Sequence, residues 1–302
     1  MKRHDPILVT GSHRSGTTWV GRVLIQAARM RLLHEPFNLT MVSRGRDFDP
    51  GLWYLAIDEA NAATWRGPVA RTLTGLNYHR DLSLEPATLK GLATRAHSAA
   101  AFTVRRLRGD RIIYKDPLAF FSAEWLHREF GMTPVVMVRH PAAFASSLQL
   151  KNWRFDFTNF TRQPRLLEGR LAPWREQIER AAQEPPEMID HAILLWNCIY
   201  AVAADYRDAH PDWIFRTHEE LSLDPVGEFQ ELFEALGLDY GPAQRRFVEE
   251  VSGPQNPTEQ TADEYRRNSI ENIENWKRRL TTEKIDRVLS GTETVRAKFY
   301  AA

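Results

Sequence analysis

Gly11-Ser-His-Arg-Ser-Gly-Thr-Thr18 stands between a short strand-forming run, Ile7–Thr10, and a helical pattern in which Trp19, Val20, Val23, Leu24, Ala27 and Ala28 share one face. A strand, a glycine-bounded loop and a helix are the setting in which the spacing G-x-x-x-x-G-K-[ST] cradles phosphate. Glycines let the backbone approach closely, and the helix start aims unpaired N–H groups and a positive dipole end at the anion. The lysine of that pattern is missing: Thr17 takes its place, and the loop's cation is Arg14. A nucleotide hydrolase of this kind needs the lysine on its terminal phosphates, a Ser/Thr on Mg²⁺ and an acid at the end of a second strand. Val135-Val-Met-Val-Arg139 ends in a base instead, which disfavours Mg²⁺-dependent hydrolysis. A plain glycine turn with a helix cap is the alternative.

Around this loop the chain alternates short β-rich runs with longer helical patterns. Strands are expected at Ile7–Thr10, Arg31–His34, Arg111–Tyr114, Pro134–Val138 and Trp213–Arg216. Helices are expected at Thr17–Met30, Leu118–Phe130, Ala142–Lys151, Glu187–Ala209 and Pro225–Leu236. The alternation implies an α/β fold, a three-layer sandwich around a central, mainly parallel sheet. With no repeat, low-complexity tract or linker, residues 1–302 read as one domain carrying insertions at about 38–108 and 152–186. The second insertion holds Trp153, Phe155, Phe157, Phe160 and Trp174, expected to be exposed walls of an acceptor pocket.

Charge narrows the function classes. The 40 Lys and Arg nearly cancel the 39 Asp and Glu, so no overall field favours nucleic acid or a membrane surface, and an anion site must be local. No apolar run approaches bilayer length, and the few residues before Gly11 are too short for a secretory signal. Cys198, the one cysteine, sits in an apolar run and reads as a buried thiol. The ten histidines are scattered and no metal-ligand spacing emerges, so no metal is expected. The chain reads as cytoplasmic.

Arg14-Ser-Gly-Thr-Thr-Trp19 resembles the 5′-phosphosulfate loop of the sulfotransferases that use 3′-phosphoadenosine 5′-phosphosulfate (PAPS) and release 3′,5′-adenosine bisphosphate (PAP), in the bacterial-type branch. The resemblance implies a fold with topology like that of P-loop NTPases. It puts Arg14 on the 5′-phosphate and bridging oxygen, and Gly16, Thr17 and Thr18 on phosphate and sulfuryl oxygens, with Ser15 and Trp19 counted among the donor-binding residues. Val138-Arg-His-Pro-Ala-Ala-Phe-Ala-Ser-Ser147 is similar to the family's 3′-phosphate motif, which implies Arg139 and Ser147 for that phosphate. Arginine offers phosphate a fixed fork of donors, Pro141 suits a first helical turn, and Ser147 lies about two turns in. Phe215–Pro225 resembles a strand-end signature that implies His218 near the adenine. Arg266–Leu280 resembles the closing segment, which implies Arg267 and Lys277 over the nucleotide.

Sulfuryl transfer to a hydroxyl is an in-line displacement that needs cations at the leaving phosphate, an aligned acceptor and a base. Lys115, in Ile113-Tyr-Lys-Asp-Pro117, resembles the lysine that meets the sulfuryl group in the Golgi tyrosyl-protein and bacterial branches; a strand-end salt bridge to Asp116 is the plain alternative. In that branch a glutamate at the place of Glu35, in Leu33-His-Glu-Pro-Phe37, takes the acceptor proton. His34 is adjacent and chemically capable, but strand alternation should send the two to opposite faces, and Glu35 is preferred as the base, with a modestly raised pKa. The acceptor is a hydroxyl of a small molecule, lipid or glycan; Arg154, Arg162 and Arg165 would suit an anionic one or are solvated loop charges. The competing functions are a nucleotide kinase with a displaced lysine and a nucleotide-binding pseudoenzyme.

Overall fold

The fold follows from where apolar runs and chain-reversing residues fall. In a computed structural model, which describes residues 5–42, 48–74, 100–101, 103–259 and 266–300, the strands are β1 (Ile7–Gly11), β2 (Met30–His34), β3 (Arg111–Lys115), β4 (Thr133–Val138) and β5 (Ile214–Thr217). They form one five-stranded sheet in the order β2-β3-β1-β4-β5. Pairing is parallel between β1 and β3, β2 and β3, and β4 and β5. Every residue of β1 and of β3 is buried. A parallel strand buried on both faces must be covered on both, which is the three-layer α/β arrangement.

Among the helices used below are α1 (Thr17–Leu24), α2 (Ala123–Phe130), α3 (Pro141–Lys151), α4 (Met188–Ala209), α5 (His218–Leu223) and α6 (Pro225–Ala235). The chain divides into two compact units, Met1–Thr10 with Leu24–Pro134 and Gly11–Val23 with Val135–Ala302.

In the first unit the register sets Val9 opposite Lys115 and His34 opposite Lys115. The Asp116 carboxylate then turns the chain out of β3. It accepts the Phe37 N–H at 2.5 Å and the Leu118 N–H at 2.9 Å, and so starts a 3-10 turn at Pro117–Ser122 ahead of α2. The helix expected from Leu118 therefore begins as a tighter turn. The helix expected to reach Met30 stops at Leu24, because Arg29 takes a left-handed φ of 58° and Met30 already belongs to β2. Of the insertion at 38–108, residues 43–47, 75–99 and 102 lie outside the described residues.

In the second unit α3 begins at Pro141, whose missing N–H costs nothing in a first turn, and buries Phe144, Ser146, Ser147 and Leu148. α4 begins at Glu187, whose carboxylate accepts the Ile189 N–H, and buries Trp196 and Tyr200. The aromatic insertion differs from expectation. Phe155, Phe157 and Phe160 are buried against one another and against His191, whose Nε2 accepts the Phe155 N–H at 2.9 Å, so they form a satellite core instead of pocket walls. Helices at Thr158–Thr161, Pro164–Glu168 and Arg175–Gln183 carry that segment.

Gly11 has φ 140°, and a Cβ there would come within 2.4 Å of the Met137 carbonyl oxygen. Both the backbone and the space demand glycine. Gly11→Ala is expected to lower the unfolding free energy by about 2 kcal/mol or more, read from the urea midpoint; an unchanged midpoint contradicts this packing.

Candidate functional site

The loop from Gly11 to Thr18 is folded by its own serines. Ser15 turns back on Ser12, donating to its carbonyl from the backbone N–H at 3.2 Å and from Oγ at 2.6 Å, while Ser12 Oγ shares a hydrogen bond with the buried Tyr200 hydroxyl at 2.7 Å. Gly16 has φ 95°, and a Cβ there would sit 2.7 Å from the His218 ring. Thr17 is buried at the start of α1, and Val20 donates back to the Gly16 carbonyl. Arg14 itself takes a left-handed φ of 66°, an unfavourable conformation for a residue with a Cβ that the surrounding contacts must hold.

Those contacts come from β4 and α3. Arg139, the first residue after β4, donates from Nη1 to the Arg14 carbonyl at 2.5 Å, and Arg14 Nε donates to Ser147 Oγ at 3.1 Å. The two motifs legible in sequence, one for each expected phosphate, thus meet as a single cationic cluster of Arg14, Arg139 and Ser147. Trp196 Nε1 fixes the Arg139 carbonyl at 2.9 Å. Among the described residues Arg139 Nε is buried and has no hydrogen-bond partner. Burial, partly offset by Glu219 and reinforced by Arg14, lowers the Arg139 pKa to about 10, so the group stays charged at neutral pH. A buried cation with an unused donor has the chemistry that an anion would satisfy.

His218 is brought to the loop. Its ring lies against Gly16 and 5.8 Å from Trp19, its Nδ1 is 3.3 Å from Ser222 Oγ, and burial holds its pKa well below the ordinary value, so it is neutral. Trp19 is likewise buried, edge-on to Phe229 in α6. In the C-terminal segment that begins at Arg266, Trp276 stacks on His140 at 5.1 Å. Lys277 is about half exposed, pairs with Glu274 at 2.5 Å and lies 5.6 Å over the Trp276 ring. Arg267 bonds through its backbone to Val251 and through Nη1 to the Arg266 carbonyl.

In the first unit a second cluster gathers at the ends of β2 and β3. Glu35 leaves β2 with a left-handed φ of 50°, its N–H donating to the Lys115 carbonyl at 2.7 Å. Its carboxylate forms an ion pair with the Lys115 ammonium and accepts Asn38 Nδ2 at 2.6 Å. Lys115 is 1% exposed and Glu35 17%, so the pair is largely withdrawn from water. Burial alone would raise the Glu35 pKa. The charges of Lys115 and His34 and the hydrogen bonds from Lys115 and Asn38 outweigh it and hold the carboxyl at about 2.

Three expectations change here. Lys115 pairs with Glu35, whereas Asp116 is spent on backbone N–H groups, and its buried carboxyl, desolvated and near Glu35, rises to about 7. The Glu35 pKa lies low where a modestly raised one was expected, because the lysine faces it. Strand alternation does not isolate Glu35 from His34, since the left-handed turn ends the strand geometry between them and His34 still acts on the carboxylate. Asn38, Trp196 and Tyr200 were not singled out from sequence. Asn38, three residues after Glu35, carried a local signal, the other two none.

Among the described residues, no three His, Cys, Asp or Glu side chains are grouped to hold a metal, and no helix is long and apolar enough to cross a membrane. A search of curated proteins returns no match. Solved structures similar to the chain include the sulfotransferase domain from the curacin biosynthetic pathway, at 13% identity over 96% of this chain and 98% of that one, with a TM-score of 0.46. Sulfotransferase STF9 from Mycobacterium avium is 14% identical over 99% and 78%, with a TM-score of 0.45. The mouse sulfotransferase SULT7A1 complexed with PAP is 12% identical over 100% and 90%, with a TM-score of 0.44. The model of the sulfotransferase family matches residues 6–242, well over half of the sequence, and the chain belongs to that family.

Proposed function

We propose that the protein moves a sulfuryl group from PAPS to a hydroxyl of a small-molecule, lipid or glycan acceptor, as one cytoplasmic sulfotransferase domain. The observation that carries the donor assignment is the linked set Arg139–Arg14–Ser147, in which Arg139 Nη1 bonds the Arg14 carbonyl and Arg14 Nε bonds Ser147, together with a buried Arg139 Nε that no described residue engages. A donor with phosphate on both sides of its ribose matches two cations supplied by two strand–helix junctions, where a mononucleotide would leave one of them unused. Ser15, Gly16, Thr17, Thr18 and Trp19 complete the loop side of that site. Arg267 and Lys277 are proposed to cover the nucleotide and His218 to lie near its adenine, on the family resemblance alone.

PAPS supplies an activated sulfuryl group. The acceptor oxygen forms the new S–O bond as the bond from sulfur to the bridging phosphate oxygen breaks, and PAP leaves with the electron pair. On the family resemblance alone, Arg14 and Lys115 are the cations proposed to neutralise that leaving oxygen. The acceptor proton goes to the Glu35 carboxylate. A carboxylate held at about 2 is a weak base while Lys115 engages it. When Lys115 turns toward an incoming anion, the same burial that Lys115 had masked raises Glu35 and prepares it to take a proton. His34 is the neighbouring alternative base.

Two measurements test this reading. PAP is expected to raise the melting temperature by several degrees without divalent metal, while ATP with Mg²⁺ has a smaller effect, and radiolabelled sulfate should pass from PAPS to a member of a hydroxyl panel. Strong stabilisation by ATP with Mg²⁺ and none by PAP would favour a kinase; PAP binding without any transfer would favour a pseudoenzyme. Glu35→Gln is expected to keep PAP affinity while kcat falls by about 10²–10⁴-fold. Retained turnover in that variant, with His34→Ala inactive, moves the base to His34.

A further inference from the structure

Arg139 is fixed from a direction that the donor reading does not use. Its carbonyl and the His140 N–H belong to the same peptide unit, at the point where β4 passes into α3. Trp196 from α4 donates to that carbonyl at 2.9 Å, and the Glu219 carboxylate from α5 accepts that N–H at 3.2 Å. One peptide is thus gripped on both its polar faces by side chains, in place of the backbone partners it would have inside a strand or helix. The other Glu219 oxygen accepts the Tyr300 hydroxyl at 2.7 Å, and the Tyr300 ring stands edge-on to His140 at 5.4 Å.

The charges run the same way. Burial raises the Glu219 carboxyl, while Tyr300, Arg139 and the His140 N–H pull it back down. Burial and the Glu219 charge hold Tyr300 well above its ordinary pKa, so it remains an O–H donor. Glu219 in turn offsets part of the cost of keeping Arg139 charged in a buried position. A carboxylate so close to a phosphate-binding cation would repel the ligand if it faced it. Here both of its oxygens are occupied, one by the His140 N–H and the other by the Tyr300 hydroxyl.

We infer that Glu219 is a positioning residue for Arg139, locked in place by Tyr300, and that through it these two side chains set the affinity for the 3′-phosphate of the donor. The inference rests on the reading of Arg139 as the 3′-phosphate cation. Neither residue touches the nucleotide; Glu219 acts by fixing the peptide that carries Arg139 and by balancing its charge.

The experiment measures the Kd of PAP and of adenosine 5′-monophosphate, which lacks the 3′-phosphate, for the full chain. Glu219→Gln is expected to weaken PAP by about tenfold and the monophosphate by less than about twofold. Tyr300→Phe, which removes only one oxygen and preserves the packing, should show the same selectivity at smaller size. In an Arg139→Ala background Glu219→Gln should add nothing, because its effect passes through the missing guanidinium. Equal losses for both ligands, no loss for PAP, or an undiminished effect in the Arg139→Ala background would overturn the inference. A wild-type chain that binds PAP no more tightly than the monophosphate would instead overturn the donor reading, and the inference with it.

Discussion

The hydrogen bond from the Arg139 guanidinium to the Arg14 carbonyl joins the two strand–helix junctions proposed to bind the donor's phosphates. Arg14 sits in a left-handed conformation that a lone loop would not hold, and the bond to its carbonyl, with its Nε on Ser147, keeps it there. Gly11 and Gly16 are glycine for the same reason: the loop is pressed so closely against Met137 and His218 that a Cβ at either position would collide. Loop, β4 and α3 are therefore tied together by these contacts without any ligand, as electrostatic preorganisation of a phosphate site requires.

A buried cation is costly unless something balances it. The chain uses two different solutions. Around Arg139 the balance is indirect, with Glu219 bonded to the neighbouring His140 N–H and Nε without a hydrogen-bond partner among the described residues. Around Lys115 it is direct, through the ion pair with Glu35, which holds the carboxyl pKa at about 2. The second arrangement makes the reactivity of Glu35 depend on where Lys115 points. A proposed base that is masked by a proposed substrate cation has a reason to wait for substrate.

Much of this was readable before any coordinates. The five strands lie within a residue or two of their apolar runs, and Gly11, Arg14, Arg139 and Ser147 announce themselves through local spacing. What was not readable depends on distant partners. The Phe37 N–H that occupies Asp116 is 79 positions away, and the Arg14 carbonyl is 125 positions from Arg139, so no window of sequence relates them. Phe155, Phe157 and Phe160 misled for a related reason: their polar surroundings in sequence suggested an exposed loop, while His191, far along the chain, completes an apolar pocket for them. The low pKa of Glu35 was hidden likewise, since β3 delivers its lysine across the sheet from β2.

The central claim is that two phosphates bind at two junctions. Phosphorus NMR of PAP, titrated with the wild-type chain and with Arg139→Ala, reads each phosphate separately. The account predicts that both resonances shift on binding the wild type, and that Arg139→Ala abolishes the shift of the 3′-phosphate while the 5′-phosphate still responds. A wild-type complex in which only one phosphate shifts, or an Arg139→Ala variant in which the 3′-phosphate is unaffected, would contradict it.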